Sequence, residues 1–409
     1  MMKGLFLFLV LLGIVFSSGY EETTIAFEKE WKVSGNASII NFTSVFLINN
    51  SNQEIENITA LPPLEIVKDG DKFTVHYYGK FYGNATFRAR AIAKIRYKTN
   101  ITRDEPLPEK GISYGGVVEY NDEMAALAKN LSDANSSLES LANLANWVNE
   151  NMEYDKSYTG AVLPAKKVFI GKRGVCTEYT HLFIALANSL GFKTRFVAGY
   201  AVEENDWEPH SWAEVYTSGQ WIDFDPTFAQ AGVLDNLHIA VSYGKDAEDI
   251  YESVMQSDGS VAVETKTKID LLEKEQAQND VLEFYFDEKN RSALIKVKNP
   301  QDKYEIGSYS RILPKEYGGI EKKIIVLKPY GSYEEKYALE GDFKEGYRYT
   351  IPVILSFNNI EEKNNISVEI REGSGQGEEH LDNQEVCLPA LVLLALIMFY
   401  FFKIGGTEI

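Results

Sequence analysis

The run from Val175 to Leu190 constrains the fold of this 409-residue chain more than any other segment. Its residues are apolar around nearly the whole helical circumference, which is typical of a helix buried on all sides. Gly191 follows directly and predicts the end of the helix, because glycine is favoured just past a helix end. Three segments after it have the character of strands: 193–202, 210–216 and 220–225. Helices followed by such strands predict an α+β core.

Two more helices are predicted ahead of this run. Apolar residues recur at helical spacing from Asp122 to Leu131. Ser136, with Glu139 three residues later, forms a capping box that predicts the start of the second helix. Together with the strands, these helices predict a domain over residues 109–245.

The flanking regions have the pattern of strands. Short β-rich segments separated by turn-forming residues occupy residues 20–108 and 280–371. They predict an N-terminal β domain and a C-terminal immunoglobulin-like β-sandwich. Residues 246–279 are charged and weakly helical in pattern, and we interpret them as a connector.

The N-terminus has the layout of a secretory signal. Lys3 precedes the apolar run Leu5–Phe16, and small residues follow, so residues 1–19 predict a cleavable signal peptide. An uncleaved anchor is the alternative, but the run is short for a spanning helix.

The C-terminus has the layout of a membrane anchor. Residues 372–385 predict a flexible stalk, and the uncharged run 386–402 predicts a transmembrane helix. A buried core helix is the alternative, but little chain remains to bury it. Lys403 fits a cytoplasmic tail over residues 403–409. We therefore expect a single-pass cell-membrane protein whose folded part lies outside the cell.

The net charge bears on the partners of the chain. The formal net charge is −19, which argues against binding to nucleic acid, because phosphate contacts need a basic surface.

Glycosylation motifs agree with an extracellular location. Asn-x-Ser/Thr triplets predict a glycoprotein if the chain is secreted. They begin at Asn36, Asn41, Asn49, Asn57, Asn84, Asn100, Asn130, Asn135, Asn290 and Asn365.

Cys176 is the residue that points most directly to chemistry. The other cysteine, Cys387, lies in the apolar run near the C-terminus, so Cys176 has no plausible disulfide partner. A helix N-terminus lowers the pKa of a thiol, which is about 8.5 when free. His210 and Asp225 follow in separate predicted strands. An unpaired Cys, a His and an Asp in this order outline a thiol nucleophile with its base and orienting carboxylate.

The turn between two strands decides whether His210 and Asp225 can meet. If Ser218-Gly219 is a two-residue turn, Thr217 pairs with Gln220. His210 and Asp225 are then diagonal neighbours on one face of the sheet, about 7–8 Å apart at the backbone. A three-residue loop would shift the pairing of the strands by one residue and place the two side chains on opposite faces of the sheet.

Each of these residues also has an ordinary structural explanation. A lone buried cysteine is usually a small core hydrophobe, a lone strand histidine is usually structural, and an Asp before Pro226 is usually a turn former. It is their combination that favours catalysis. We expect no metal or cofactor, because the clustered ligand spacing of metal sites is absent.

The remaining histidines and tryptophans of this region have less specific interpretations. His181 lies off the helical face of Cys176 and is predicted to be structural. Trp212 and Trp221 are predicted to pack, with a pocket wall as the alternative. His238 has no partner that the sequence identifies.

Four motifs around these residues resemble the transglutaminase-like superfamily. They are Gly174-x-Cys176, Gly191-x-x-x-Arg195, His210-x-Trp212-x-Glu214-Val215 and Trp221-x-x-x-Asp225-Pro226-Thr227. The resemblance covers about residues 120–230. It implies a papain-like fold with Cys176 as nucleophile, His210 as base and acid, and Asp225 as the residue that orients His210.

The resemblance also implies acyl transfer at an amide through a thioester, with water or an amine as acceptor. Many microbial members are thought to be hydrolases, and the tethered layout is similar to cell-surface members from archaea. No motif matches the calcium sites of animal transglutaminases. Trp147 and Tyr154 are the candidates for a side-chain oxyanion donor.

The sequence therefore predicts an extracellular, membrane-anchored peptidase or amidase that acts on a protein or peptide, with cross-linking less favoured. The alternative is a catalytically idle surface protein used for binding or as a scaffold. The shape of the pocket distinguishes them, because an open cleft at Cys176 favours catalysis. The sequence leaves the oligomeric state open.

Overall fold

The computed structural model describes residues 20–61, 64–203, 205–276, 281–288 and 290–370. The predicted signal peptide (1–19), stalk (372–385), transmembrane helix (386–402) and tail (403–409) lie outside these ranges. Within them, no helix has the length and apolar character needed to cross a bilayer. Residues 20–342 and 348–369 belong to one compact unit, and residues 343–347 and 370 to a second.

The described residues form mainly strands, with a small number of helices. The helices are α1 (Asp122–Leu131), α2 (Ser137–Asn151), α3 (Ala165–Gly171) and α4 (Cys176–Ser189). The strands are β1 (Tyr20–Ile48), β2 (Gln53–Ala60), β3 (Glu65–Asp69), β4 (Lys72–Ile95), β5 (Glu153–Tyr154), β6 (Arg173–Gly174), β7 (Lys193–Glu203), β8 (Asp206–Thr217), β9 (Gln220–Asp225), β10 (Gln230–Ala231), β11 (His238–Gly244), β12 (Ser253–Ser257), β13 (Ser260–Gln276), β14 (Leu282–Asp287), β15 (Ser292–Lys298), β16 (Glu305–Ile312), β17 (Ile320–Leu327), β18 (Ser332–Ala338), β19 (Tyr347–Phe357) and β20 (Ile360–Ile370).

Local signals fix the ends of the core helices. At the start of α2, the Ser136 hydroxyl accepts from the Glu139 N–H (3.0 Å), which confirms the predicted cap. At the start of α4, the Val175 N–H donates to Glu178 Oε2 (3.0 Å). At its end, Gly191 has φ 98°, and a Cβ there would lie 2.4 Å from a backbone oxygen. Only glycine fits that position without strain.

A five-stranded sheet, in the order β10-β9-β8-β7-β11, forms the centre of the core. Strands β8 and β9 are joined by Ser218 and Gly219, whose φ angles are 53° and 80°. Two successive positive φ values are typical of a type I′ hairpin turn. Thr217 pairs with Gln220, which confirms the predicted two-residue turn and the strand register that follows from it.

Both faces of this sheet are covered. Ala213, Val215 and Phe224 face the helices and belong to the same apolar cluster as most of α4. Val197 and Trp212 lie in a second cluster with residues of β1 and β4. The central sheet is therefore enclosed between the helices and a large N-terminal sheet, and burial of both faces stabilises it.

The large sheet contradicts the interpretation of residues 246–279 as a weakly helical connector. Strands β12 and β13 both pair with β1, in a six-stranded sheet with the order β12-β1-β4-β2, in which β3 also pairs with β4. The N-terminal β region therefore shares its sheet with chain from beyond the core, and residues 20–108 do not form a sheet on their own. Side chains from Val261 to Asp270 of β13 alternate between partly buried and exposed, as a strand requires, and those from Leu271 to Glu275 are all exposed.

The C-terminal strands form two sheets, β14-β15-β18 and β17-β16-β19-β20. The Tyr309 and Tyr333 rings, one from each sheet, lie 5.4 Å apart. The seven strands are thus divided three and four between two sheets, and the immunoglobulin-like character expected of this region stays a prediction. The Asn146 side chain of α2 exchanges two hydrogen bonds with the Ile324 backbone of β17 (2.8 and 2.7 Å), which ties this sheet to the core.

The fold class is therefore mostly β, with the predicted α+β arrangement confined to the core. The large sheet and the two C-terminal sheets contribute strands only.

Candidate active site

Three neighbouring elements position the side chains that the sequence singles out. Cys176 is the first residue of α4, His210 lies in β8, and Asp225 is the last residue of β9. Thr180 ties the helix to the strand, because its hydroxyl lies 2.8 Å from the Cys176 carbonyl and 3.1 Å from the Ser211 carbonyl. The nucleophile candidate is thereby fixed beside β8.

His210 lies between the thiol and the carboxylate. Its Nε2 is 2.9 Å from Asp225 Oδ2, which leaves Nδ1 as the ring nitrogen available to the Cys176 thiol. The Phe228 ring stacks on the imidazole, with centroids 4.6 Å apart and planes at 10°. The order is thiol, imidazole, carboxylate, which is the geometry required of a base and its orienting group.

Both oxygens of Asp225 are engaged. Oδ1 accepts from the backbone N–H groups of Thr227 (2.8 Å) and Phe228 (3.2 Å). Oδ2 faces His210 and also His238, whose Nε2 is 3.2 Å away. Burial would raise the pKa of Asp225, but the charge of His210 and hydrogen bonds from both histidines lower it below its ordinary value.

The electrostatics favour a thiolate–imidazolium pair. Burial raises the pKa of Cys176, but the hydrogen bond and charge of His210 outweigh it, so the pKa is lower than that of a free thiol. Burial lowers the pKa of His210, but Asp225 and then Cys176 raise it to about 10. The fraction of thiolate at neutral pH is therefore larger than it would be for a free thiol.

His238 is the member of the site that the sequence does not reveal. It begins β11 and is fully buried. Its Nδ1 lies 2.7 Å from Asp235 Oδ1, and its Nε2 reaches Asp225. The loop after β9 brings it there, and no motif spacing marks that contact.

The same side chains meet the geometric condition for a metal site. His210, Asp225 and His238 each offer a ligand atom, and these atoms all lie within 4.8 Å of one another. A metal ion there would bind the Asp225 carboxylate and the ring nitrogens of His210 and His238, which already contact Asp225 Oδ2. It would therefore compete with the hydrogen bond that orients His210.

Cys176 opens onto a cleft of about 530 Å³. Carboxylates of Glu203, Asp206 and Glu208 line it, together with Lys156. Lys156 Nζ lies 3.4 Å from Glu203, so its charge offsets one of the three acids. The cleft is consequently acidic on the side of β7 and β8.

The two oxyanion-donor candidates occupy different surroundings. Tyr154 lines the cleft beside Cys176, with its ring 6.1 Å from that of Tyr179. Trp147 packs instead against Phe169 (6.1 Å) and under Lys172 (5.4 Å). Of the two, only Tyr154 is among the residues that line the cleft.

The other charged motif residues stabilise the core. The Arg195 guanidinium pairs with the Glu214 carboxylate. It lies between the rings of Trp221 (4.4 Å) and Tyr243 (3.7 Å), in cation–π contacts. Arg195, which lies on β7, thus links this strand to β8 and β9.

Trp212 joins the core to the N-terminal sheet through a carboxylate. Its Nε1 donates to Asp223 Oδ1 (2.8 Å), and the Asn52 amide donates to Oδ2 (3.0 Å). Burial and then the charge of Glu214 raise the pKa of Asp223 well above its ordinary value. The packing role predicted for Trp212 is confirmed by its complete burial.

His181 has the predicted structural role. Its Nε2 accepts from the Ala247 N–H (3.1 Å), so Nδ1 carries the proton and donates to the Leu163 carbonyl (3.1 Å). Burial lowers its pKa, which keeps the ring neutral. It belongs to a different hydrogen-bond network from His210.

Two uncharacterized mycobacterial proteins have sequences related to this chain. A protein of Mycobacterium leprae (strain TN) is 25% identical over 138 residues, covering 32% of this chain and 48% of the relative. A protein of Mycobacterium tuberculosis (strain H37Rv) is 28% identical over 129 residues, covering 28% of this chain and 40% of the relative. The chain thus spans less than half the length of these relatives. Both are bacterial and give no support to an archaeal affinity.

A solved structure and a family model complete the comparison. A candidate cysteine protease from Cytophaga hutchinsonii has 21% identity and a TM-score of 0.44, covering 63% of this chain and 93% of that one. A score of that size does not establish a common fold. Residues 125–226 match the model of the transglutaminase-like superfamily, and this segment contains Cys176, His210 and Asp225. The chain therefore contains a transglutaminase-like core.

Proposed function

We propose that this chain is a cysteine-dependent peptidase or amidase, with Cys176 as nucleophile, His210 as base and acid, and Asp225 as the group that orients His210. The observation that carries the proposal is the hydrogen bond between His210 and Asp225 (2.9 Å), together with the cleft that Cys176 lines. The match of residues 125–226 to the transglutaminase-like model supports it.

In the acylation step, the Cys176 thiolate attacks the carbonyl carbon of an amide. The backbone N–H groups at the start of α4 lack partners within the helix and can stabilise the oxyanion. His210 Nδ1–H gives its proton to the leaving nitrogen as the C–N bond breaks. The products are a thioester on Cys176 and a free amine.

In the second step, water attacks the thioester and His210 takes its proton. The C–S bond breaks, the acyl group leaves as a carboxylic acid, and the thiolate–imidazolium pair forms again. Asp225 keeps Nε2–H of His210 directed away from the substrate throughout, so Nδ1 serves both steps.

The cleft argues against the alternative of an idle scaffold. In a protein that retained the core only as a scaffold, nothing would keep the thiol accessible. Here the Cys176 side chain contributes to the wall of an open cleft of about 530 Å³, which is within the range of small-ligand sites.

The acyl acceptor can be tested directly. In oxygen-18-labelled water, peptide-amide substrates should give acids that carry one labelled oxygen, and added glycine ethyl ester should divert only a small share of product. Mass spectrometry of the acyl product measures both. Predominant formation of the amine adduct would instead indicate transamidation, and Cys176→Ala supplies the background rate.

We also propose that the enzyme acts outside the cell from a membrane anchor. The residue ranges 1–19 and 386–402 motivate this, since they have the composition of a signal peptide and a spanning helix. The exposure of the sequons is consistent with it, because the asparagines are exposed at nine of the ten and half-buried at Asn49.

Truncation tests the anchor. Cells that make the full chain should retain it in the membrane fraction, while a chain ending at residue 371 should be released in soluble form. Immunoblotting of fractions, with external protease added to intact cells, measures attachment and sidedness. Recovery of the full chain in the soluble cytosolic fraction would refute the proposal.

A further inference from the structure

We propose that His238 and Asp235 are positioning residues for the thiol site. His238 holds the Asp225 carboxylate through the oxygen that also accepts from His210, and Asp235 holds His238. This inference rests on the proposed catalytic role of Cys176 and extends the hydrogen-bonded series by two residues.

The contacts leave Asp225 no freedom to rotate. His210 Nε2 and His238 Nε2 lie 2.9 and 3.2 Å from Oδ2, and backbone N–H groups occupy Oδ1. Without His238, one side of Oδ2 would face a buried space with no donor. Oδ2 would keep only the His210 hydrogen bond. Loss of one of two donors to a buried carboxylate is costly, so the carboxylate would be free to shift from its position beside His210.

Asp235 is itself held in place. Its Oδ2 accepts from the Gln230 side chain (3.1 Å), and its Oδ1 accepts from the Leu237 N–H (3.1 Å) and faces His238 Nδ1 (2.7 Å). The side chains of His210, Asp225, Asp235 and His238 are all at least nine-tenths buried. The support behind Asp225 is therefore a preorganised buried network rather than a surface contact.

The two carboxylates determine the charge of His238. A neutral imidazole donates from one nitrogen only, whereas His238 faces a carboxylate oxygen at each nitrogen. Burial lowers its pKa, but Asp235 and then Asp225 raise it to about 9. The His238 imidazolium then lies between two carboxylates, and Asp225 lies between it and the His210 imidazolium.

Charged groups on neighbouring strands also act on this series. Asp223 on β9 feels the charge of His238, and Lys322 on β17 acts on both Asp225 and Asp235. Burial keeps the pKa of Tyr97 well above its ordinary value, so that hydroxyl stays neutral. Aromatic rings form the remaining walls around His238: Tyr97 at 6.4 Å, Trp212 at 5.2 Å and Phe228 at 5.9 Å.

The positive charge on His238 has a predictable effect on reactivity. The charge favours the Cys176 thiolate and disfavours the His210 imidazolium. The rings of His210 and His238 lie 5.5 Å apart. Removing that charge should therefore raise both pKa values. Both limbs of a pH–rate profile should move towards higher pH.

His238→Gln tests this, because its amide can still donate to Asp225 but carries no charge. The measurement is the rate of Cys176 alkylation by iodoacetamide as a function of pH, which requires no known substrate. We expect the acid limb to rise by about 0.5–1 pH unit, so that alkylation near pH 6 is about three- to tenfold slower. Asp235→Asn should shift the profile in the same direction, since it removes the partner that keeps His238 charged.

His181→Gln is the matched control. It makes the same substitution at a buried, hydrogen-bonded histidine outside this network. It should lower the unfolding temperature without moving the profile. Profiles for both test variants that overlay the wild type would overturn the inference, even if both variants were less stable.

Two further outcomes distinguish failure of the catalytic role of Cys176 from failure of the positioning role of His238. If wild-type Cys176 reacts no faster than an unstructured peptide thiol at every pH, the proposed catalytic role fails first. If stoichiometric zinc changes the wild-type profile, chelation restores it, and His238→Gln abolishes the zinc effect, the cluster is a metal site. That result would overturn the positioning role.

Discussion

Cys176→Ala removes turnover of amide substrates, by at least about 10⁴-fold, while the chain remains folded. The thioester cannot form without the sulfur. The side chain is 9% exposed and small, so its truncation costs little packing. Initial rates, with thermal unfolding of the same preparation, measure the two effects separately.

Cys387→Ala is the matched control, because it replaces the only other cysteine in the chain. It should keep the wild-type rate. Cys176→Ser should resemble Cys176→Ala, since a hydroxyl at this position is far less acidic than a thiol. Substantial turnover by Cys176→Ala would show that the thiol is not the nucleophile and would favour the scaffold alternative.

Helices α1, α2 and α4 and the β8–β9 hairpin could be predicted because their determinants are local, whereas α3 was not predicted. The Ser136 cap, the stop at Gly191 and the turn at Ser218–Gly219 each specify a backbone conformation within a few residues. The hairpin turn then fixes which face of the sheet each side chain occupies. This is why His210 and Asp225 could be proposed as neighbours from sequence.

The pairing of β13 with β1 could not be predicted in the same way. Its partner residues lie more than 200 positions away, from Asn36 with Ser260 to Thr24 with Glu273. The charges of β13 also suggested a solvated connector. The alternation of Val263, Thr265 and Thr267 with charged residues was the available signal, and charged residues are typical of strands near a sheet edge.

The His238 contact depends on tertiary structure alone. Asp225 and His238 lie on β9 and β11, which are not neighbours in the sheet. The intervening loop, in which Asn236 has φ 53°, brings them together. No periodicity or spacing in the sequence encodes this meeting.

Asp225→Asn should reduce kcat/KM by about 10³–10⁴-fold. An amide offers one accepting oxygen where the carboxylate offers two. If that oxygen serves the backbone donors, the NH₂ group faces His210 Nε2, and the imidazole must move its proton to Nδ1 to accept from it. Nδ1 can then no longer act as base towards Cys176. Alkylation of Cys176 at neutral pH should fall together with turnover.

Asp223→Asn separates this electrostatic role from the simple loss of a buried acid. Asp223 lies two residues away on β9, is 3% exposed and also accepts two hydrogen bonds. Burial raises its pKa and favours the neutral acid, which an amide resembles, whereas His210 keeps Asp225 ionised. Asp223→Asn should therefore change kcat/KM by less than about tenfold. If both variants lose activity equally and both unfold at lower temperature, Asp225 acts through core stability, and the orienting role assigned to it is wrong.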